Sequence, residues 1–168
     1  IFAAVQVAGT VVDFQMGFGV VNVIDPQTET QVSVTAQFQN ILAVLIFLAT
    51  DAHHFIIQAI VDSFFILNPA EINFASITPE YMLYLFSGTF TTAIKIAAPI
   101  MAILFFLSVG LGLVARTVPQ MNVFIVGFPL QIGVGLLMVG LSISFFSILV
   151  QDQMYQLPVK FMGLLRGL

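Results

Sequence analysis

Long uncharged apolar runs alternate with short polar segments along the chain. The two longest runs are Ile96–Val114 and Val123–Val150, and a helix needs ~20 apolar residues to cross a membrane. The pattern predicts an all-α membrane protein made of kinked long helices and helical hairpins. The expected apolar segments are residues 1–24, 36–67, 80–115 and 123–150, and a short amphipathic end follows at 151–168.

A polar segment separates the two longest runs and contains Arg116, Pro119, Gln120 and Asn122. Proline lacks a backbone N–H and pushes the residue before it toward extended geometry. We therefore expect a turn between two apolar helices here.

Prolines inside apolar runs predict irregular helices. Pro99 is expected to kink the third segment, so that it forms two joined pieces. Gly127 and Pro129 are expected to interrupt the fourth segment, and hydrocarbon could not satisfy the backbone groups that such an interruption leaves unpaired.

The second segment consists of two apolar pieces of roughly a dozen residues on either side of Asp51–His54, and each piece is shorter than the ~20 residues of a span. It forms either one long helix with a polar middle or a helical hairpin. A tight turn needs a residue with positive φ, a conformation that Ala52 does not favour.

Composition excludes most other classes of protein. Hydrophobic residues make up 60% of the 168 residues and charged residues 7%, whereas soluble domains contain about 25% charged residues. Four Lys and Arg residues provide no basic face for nucleic acid. The absence of cysteine excludes disulfides and thiolate chemistry.

Polar residues within the apolar segments are the candidate functional side chains, because a charge inside a membrane is costly. They are Asp13, Asp51, His54 and Lys95. A metal site at Asp51, His53, His54 and Asp62 is not expected, since consecutive histidines on a helix diverge by about 100° and the pair at suitable spacing, Asp51 and His54, supplies only two ligands. We likewise expect no cofactor and no catalytic residues.

The run V-P-Q-M-N-V-F-I-V-G-F-P-L-Q-I-G-V-G, from Val118 to Gly135, resembles the FliR family of the flagellar type III secretion export gate. Val7–Gly9 and Asp13–Phe18 also resemble this family. The resemblance implies a subunit of one export-gate domain, residues 1–168, packed with FliP and FliQ subunits and contacting FlhB. It also implies that further helices precede Ile1.

The resemblance further implies a role in the bacterial inner membrane, at the flagellar basal body, where the gate passes unfolded flagellar proteins. The polar connection after the first segment would plug the closed gate. The residues that this assigns to the plug are Asp25, Pro26, Gln27, Thr28, Glu29, Thr30 and Gln31.

An alternative function from the residues alone is an ion-coupled transporter or channel subunit. Asp13, Asp51, His54 and Lys95 would form its relay. Such transporters usually contain paired broken helices in two related halves, and the chain shows no convincing internal repeat.

Overall fold

A computed structural model describes residues 1–19, 33–66, 79–118 and 123–165. All regular elements in these ranges are α-helices, as predicted. In chain order they are α1 (Phe2–Met16), α2 (Val34–Ala49), α3 (Ala52–Ile66), α4 (Pro79–Thr117), α5 (Val123–Leu141), α6 (Ile143–Tyr155) and α7 (Leu157–Leu165).

Helix α1 is the centre of the packing, and its most extensive contacts are with α4 and α2. Ala4, Ala8 and Gly9 are buried on α1, and Ala93 and Ala97 are buried on α4. Small side chains let helix backbones approach closely, which is how apolar helices gain packing energy in a membrane. Small residues of both helices therefore lie in the buried part of the packing.

The closest approach in this core is between α1 and α2. A Cβ atom placed on Gly9 would lie 2.3 Å from Cα of Ala36. Farther along the antiparallel pair, the Asn40 side-chain amide donates to the Gln6 side-chain oxygen, and Phe2 meets Phe47 edge to face. Glycine at position 9 is thus a requirement of the helix spacing.

Helices α2 and α3 meet at an angle of 68°. This is neither the continuous helix nor the hairpin that the sequence left open. Asp51 adopts the left-handed conformation, with a φ of 53°, which Asp tolerates better than most residues with a Cβ. The positive φ therefore falls one residue before Ala52, which begins α3 as an ordinary helical residue.

The bend in the fourth segment lies elsewhere than predicted. Gly127 and Pro129 are inside α5, which runs through both without interruption, and the expected break there is wrong. The chain bends by 53° between α5 and α6. Ser142 occupies this bend, and its hydroxyl donates to the carbonyl of Val139 at 3.0 Å, a local bond that competes with the helical ladder.

Helix α4 contains Pro99 and is a single helix of 39 residues, so the two joined pieces expected from the sequence are one element. Within the described residues it is the one helix long and apolar enough by itself to cross a membrane, and each bent pair, α2–α3 and α5–α6, could add a span. Its apolar part, Met82–Thr117, contains 36 residues. At 1.5 Å per residue it is about 54 Å long, well beyond the ~30 Å hydrocarbon core.

Candidate functional site

The carboxylate of Asp13 joins the end of α1 to the start of α2. Asp13 is 5% exposed, and its Oδ2 accepts hydrogen bonds from the Ser33 hydroxyl at 2.6 Å and the Thr35 N–H at 3.2 Å. The Ser33 Oγ also accepts from the N–H of Ala36 at 3.1 Å, as the N-cap of α2. One buried side chain thus holds together the two helix ends that flank residues 20–32.

Electrostatics favour this arrangement at the first turn of α2. The first N–H groups of a helix have no partner within the helix, and the positive end of the helix dipole lies there. A carboxylate at this end gains hydrogen bonds that are stronger than those between neutral groups. The Oδ1 atom of Asp13 is buried and has no hydrogen-bond partner among the residues that the structure describes, so one further donor could still be accommodated.

The same last turn of α1 contacts two further helices. The Gln15 side-chain amide donates to the carbonyl of Met101 on α4 at 3.1 Å. Met16 is fully buried, and a Cβ on Gly135 of α5 would lie 2.5 Å from its Cε. Gly17 ends α1 with a φ of 96° and lies against the ring of Phe128. Residues 13–17, which we call the α1 end, therefore connect α2, α4 and α5.

The structure describes only some of the residues predicted for the plug and for the polar segment before α5. Asp25–Gln31, the predicted plug, lies outside the described residues, as do Pro119, Gln120 and Asn122. Arg116 is exposed in the last turn of α4, where a positive charge is favourable next to the helix dipole.

Two of the four candidate polar residues are close to each other. Nδ1 of His54 lies 3.6 Å from Oδ1 of Asp51, and the rings of His53 and His54 are 4.1 Å apart between centroids. The expectation that the two histidine side chains diverge is therefore wrong. Lys95 lines a separate cleft of about 510 Å³ with Thr92 of α4 and residues of α6 and α7.

The four polar residues do not form one relay. Asp13, on α1, lies next to the start of α2, and Asp51 follows the end of α2, so the 16 residues of that helix separate them by about 24 Å. A proton or ion would need further groups to cross that distance.

The chain was compared with known protein families and with individual proteins. The model for bacterial export proteins, family 1, matches residues 1–157. The chain belongs to this family. It is 41% identical over 154 residues to the flagellar biosynthetic protein FliR of Bacillus subtilis (strain 168), a match that covers 89% of this chain and 59% of the relative. The predicted resemblance to FliR is therefore confirmed.

Other relatives are less similar to the chain. The flagellar biosynthetic protein FliR of Escherichia coli (strain K12) is 34% identical over 140 residues, covering 80% of this chain and 52% of the relative. The surface presentation of antigens protein SpaR of Salmonella typhimurium is 26% identical over 163 residues, covering 97% and 60% respectively. The chain thus spans between half and three fifths of the length of these relatives. Its apolar helices and its family indicate a membrane-embedded export protein.

Sequence reasoning missed the partners of Asp13. The predicted second segment begins at residue 36, whereas Val34 begins α2. Serine immediately before an apolar run is a common helix N-cap, and this signal would have placed the start of α2 correctly. It could not have shown that Asp13 lies next to that cap.

Proposed function

We propose that this chain is a gating subunit of the flagellar type III export channel in the bacterial inner membrane. In this proposal it assembles with FliP, FliQ and FlhB, and unfolded flagellar proteins pass through the assembly. It works as one unit over residues 1–168 and catalyses no reaction. The observation that supports the gating role most directly is the Asp13 connection between the helix ends that flank the predicted plug.

A plug needs a fixed base and a segment that can leave the path. Asp13, Ser33 and Thr35 supply the base, since their hydrogen bonds join α1 to α2 in a buried position. Asp25–Gln31 is the proposed movable segment. Opening then requires this segment to move while the α1 end remains attached to α2, α4 and α5.

The surface of the described helices supports an assembly in which partners or lipid cover much of the chain. Phe64 and Phe65 on α3 are 78% and 85% exposed. Along α4, Phe86, Phe90, Phe105 and Phe106 are also exposed. Apolar surface on this scale indicates contact with lipid or with other proteins.

Shortening the proposed plug should make the resting membrane leak. In cells whose chain lacks Pro26–Thr30, we expect faster entry of a small ion or dye, because the remaining residues are too few to cover the path. An equal-length variant with Gly-Ser-Gly at Thr28–Thr30 is the control, and it should leak much less. Leakage is measured by dye uptake in cells that are not exporting.

Assembly must be checked in the same cells by copurification of two other apolar subunits with the chain. Unchanged leakage from a shortened chain in an intact complex would rule out the plug. A chain that is found alone after mild detergent extraction would argue against the export-gate assembly as a whole.

A further inference from the structure

Asp51, His53 and His54 form a cluster of metal-ligating groups at the bend between α2 and α3. One ligand atom from each side chain lies within 4.8 Å of the other two. Two imidazoles and a carboxylate are the donor types that suit zinc and the neighbouring first-row metals. The export function proposed above makes no use of this cluster.

The separation between these ligand atoms is close to the separation between atoms that coordinate one metal ion. In a tetrahedral zinc site with bonds of about 2.1 Å, ligand atoms are separated by about 3.4 Å. The His54 Nδ1 and Asp51 Oδ1 atoms are already 3.6 Å apart. Their side chains are 70% and 74% exposed, so small rotations can bring the remaining distances into range.

The backbone of the bend brings the three side chains together. Asp51 has a positive φ, and its carbonyl accepts from the N–H of His54 at 2.9 Å. Asp51 thus lies immediately before α3, and His53 and His54 lie in the first turn of that helix. The two rings are nevertheless 4.1 Å apart between centroids, so consecutive positions on a helix do not prevent both from binding one ion.

The ring of His53, the third side chain of the cluster, packs against an aromatic ring and has an unpaired nitrogen. Its ring lies edge to face against Phe47, with 6.1 Å between centroids, and Phe47 in turn packs against Phe2 of α1. The His53 Nδ1 atom is buried, and within the described part of the chain it has no hydrogen-bond partner. An unpaired buried nitrogen is unfavourable, and a bound cation would satisfy it.

We propose that Asp51, His53 and His54 bind a divalent first-row transition metal, Zn²⁺ in the first instance, at the bend between α2 and α3. Water or a group from another subunit completes the coordination. The ion would link Asp51 to the first turn of α3 and so hold the 68° angle between the two helices.

Metal titration of the full chain tests this proposal. The protein is purified in detergent with an affinity tag that contains no histidine, treated with EDTA and dialysed. Zn²⁺ binding is measured by calorimetry, and Co²⁺ binding by its visible absorption. We expect one ion per chain, with micromolar or tighter affinity, and a Co²⁺ spectrum typical of a four-coordinate site.

Variants assign the ion to these residues. Asp51→Asn, which tolerates the same backbone conformation, and His54→Gln should each weaken binding at least tenfold. The double variant His53→Gln, His54→Gln should weaken it at least a hundredfold. Asp62→Asn removes a carboxylate elsewhere on α3 and should leave the affinity unchanged.

Thermal unfolding of each variant without metal shows whether it is folded, and added Zn²⁺ should raise the midpoint of the original chain more than that of His54→Gln. No Co²⁺ absorption at equimolar metal would overturn the proposal. Equal affinity in a folded His54→Gln variant would overturn it as well.

Discussion

Replacing Gly9 by valine is expected to separate α1 from α2 and to prevent assembly of the chain into its complex. Even the first added atom, a Cβ, would lie 2.3 Å from Cα and 2.5 Å from N of Ala36. These are backbone atoms, so no side-chain rotation relieves the clash. The helices would have to move apart by about 1 Å to reach ordinary contact, and overpacking of this kind typically costs about 1–3 kcal/mol for a small added group.

The smaller change Gly9→Ala isolates that cost. We expect it to lower the free energy of unfolding by about 1–3 kcal/mol, measured by denaturant titration of the purified chain in detergent. Gly110→Ala on α4 is the matched control, because a Cβ there meets no atom within 4 Å. Equal stability of the two variants would mean that α1 and α2 are not packed as described.

Removal of the Asp13 carboxylate is expected to have the second large effect. In Asp13→Ala, the buried N–H of Thr35 loses its acceptor and Ser33 loses its partner. A buried donor left unpaired costs about 1–3 kcal/mol. We expect a lower free energy of unfolding of that order, together with ion leakage and reduced export, because the base of the proposed plug is no longer fixed.

A second variant distinguishes a structural carboxylate from an ion relay. Asp13→Asn retains an oxygen that can accept from Thr35 but removes the charge. If Asp13 acts as a connection, Asn should preserve assembly and most of the export activity, whereas Ala should not. If Asp13 carries protons, Asn should abolish export as completely as Ala does. Export is measured as secreted flagellar protein, with Asp62→Ala as the carboxylate-removal control.

The positions of the helices were predictable because they follow the hydrophobic runs of the sequence. Uncharged apolar runs identified every described element except the exact bends. Ala4 and Ala8, and likewise Ala93 and Ala97, are four positions apart in the sequence and are buried where helices pack. Small side chains are informative in apolar helices because close backbone approach is their main way to gain packing energy.

The bends were predicted poorly because a proline does not by itself break a helix. Pro99 and Pro129 each remove one backbone hydrogen bond, and the flanking turns of α4 and α5 continue around them. The observed bends lie instead at Asp51 and Ser142, where a left-handed residue and a local side-chain bond change the chain direction. These depend on local geometry that residue types do not determine.

The candidate site depended even more on tertiary structure. Asp13 was identified from its cost in an apolar segment, but its partners are about twenty residues away in the chain. Likewise, the contact between the rings of His53 and His54 depends on side-chain conformations that their spacing in the sequence does not determine. Spacing along the sequence predicts which side chains meet only within a regular helix. Both sites lie where a helix begins or ends.

In the proposed function, unfolded export substrates pass the segment that follows the α1 end. A photo-crosslinking amino acid at Thr28, in cells that produce an export substrate fused to a stably folded domain, tests it directly, because the folded domain stalls the substrate in the channel. The same amino acid at Phe105, which is 58% exposed on α4, is the control for nonspecific contact. We expect a substrate crosslink at Thr28 and none at Phe105. The absence of a crosslink at Thr28 in an assembled and stalled complex would contradict the proposed passage of substrates past this segment.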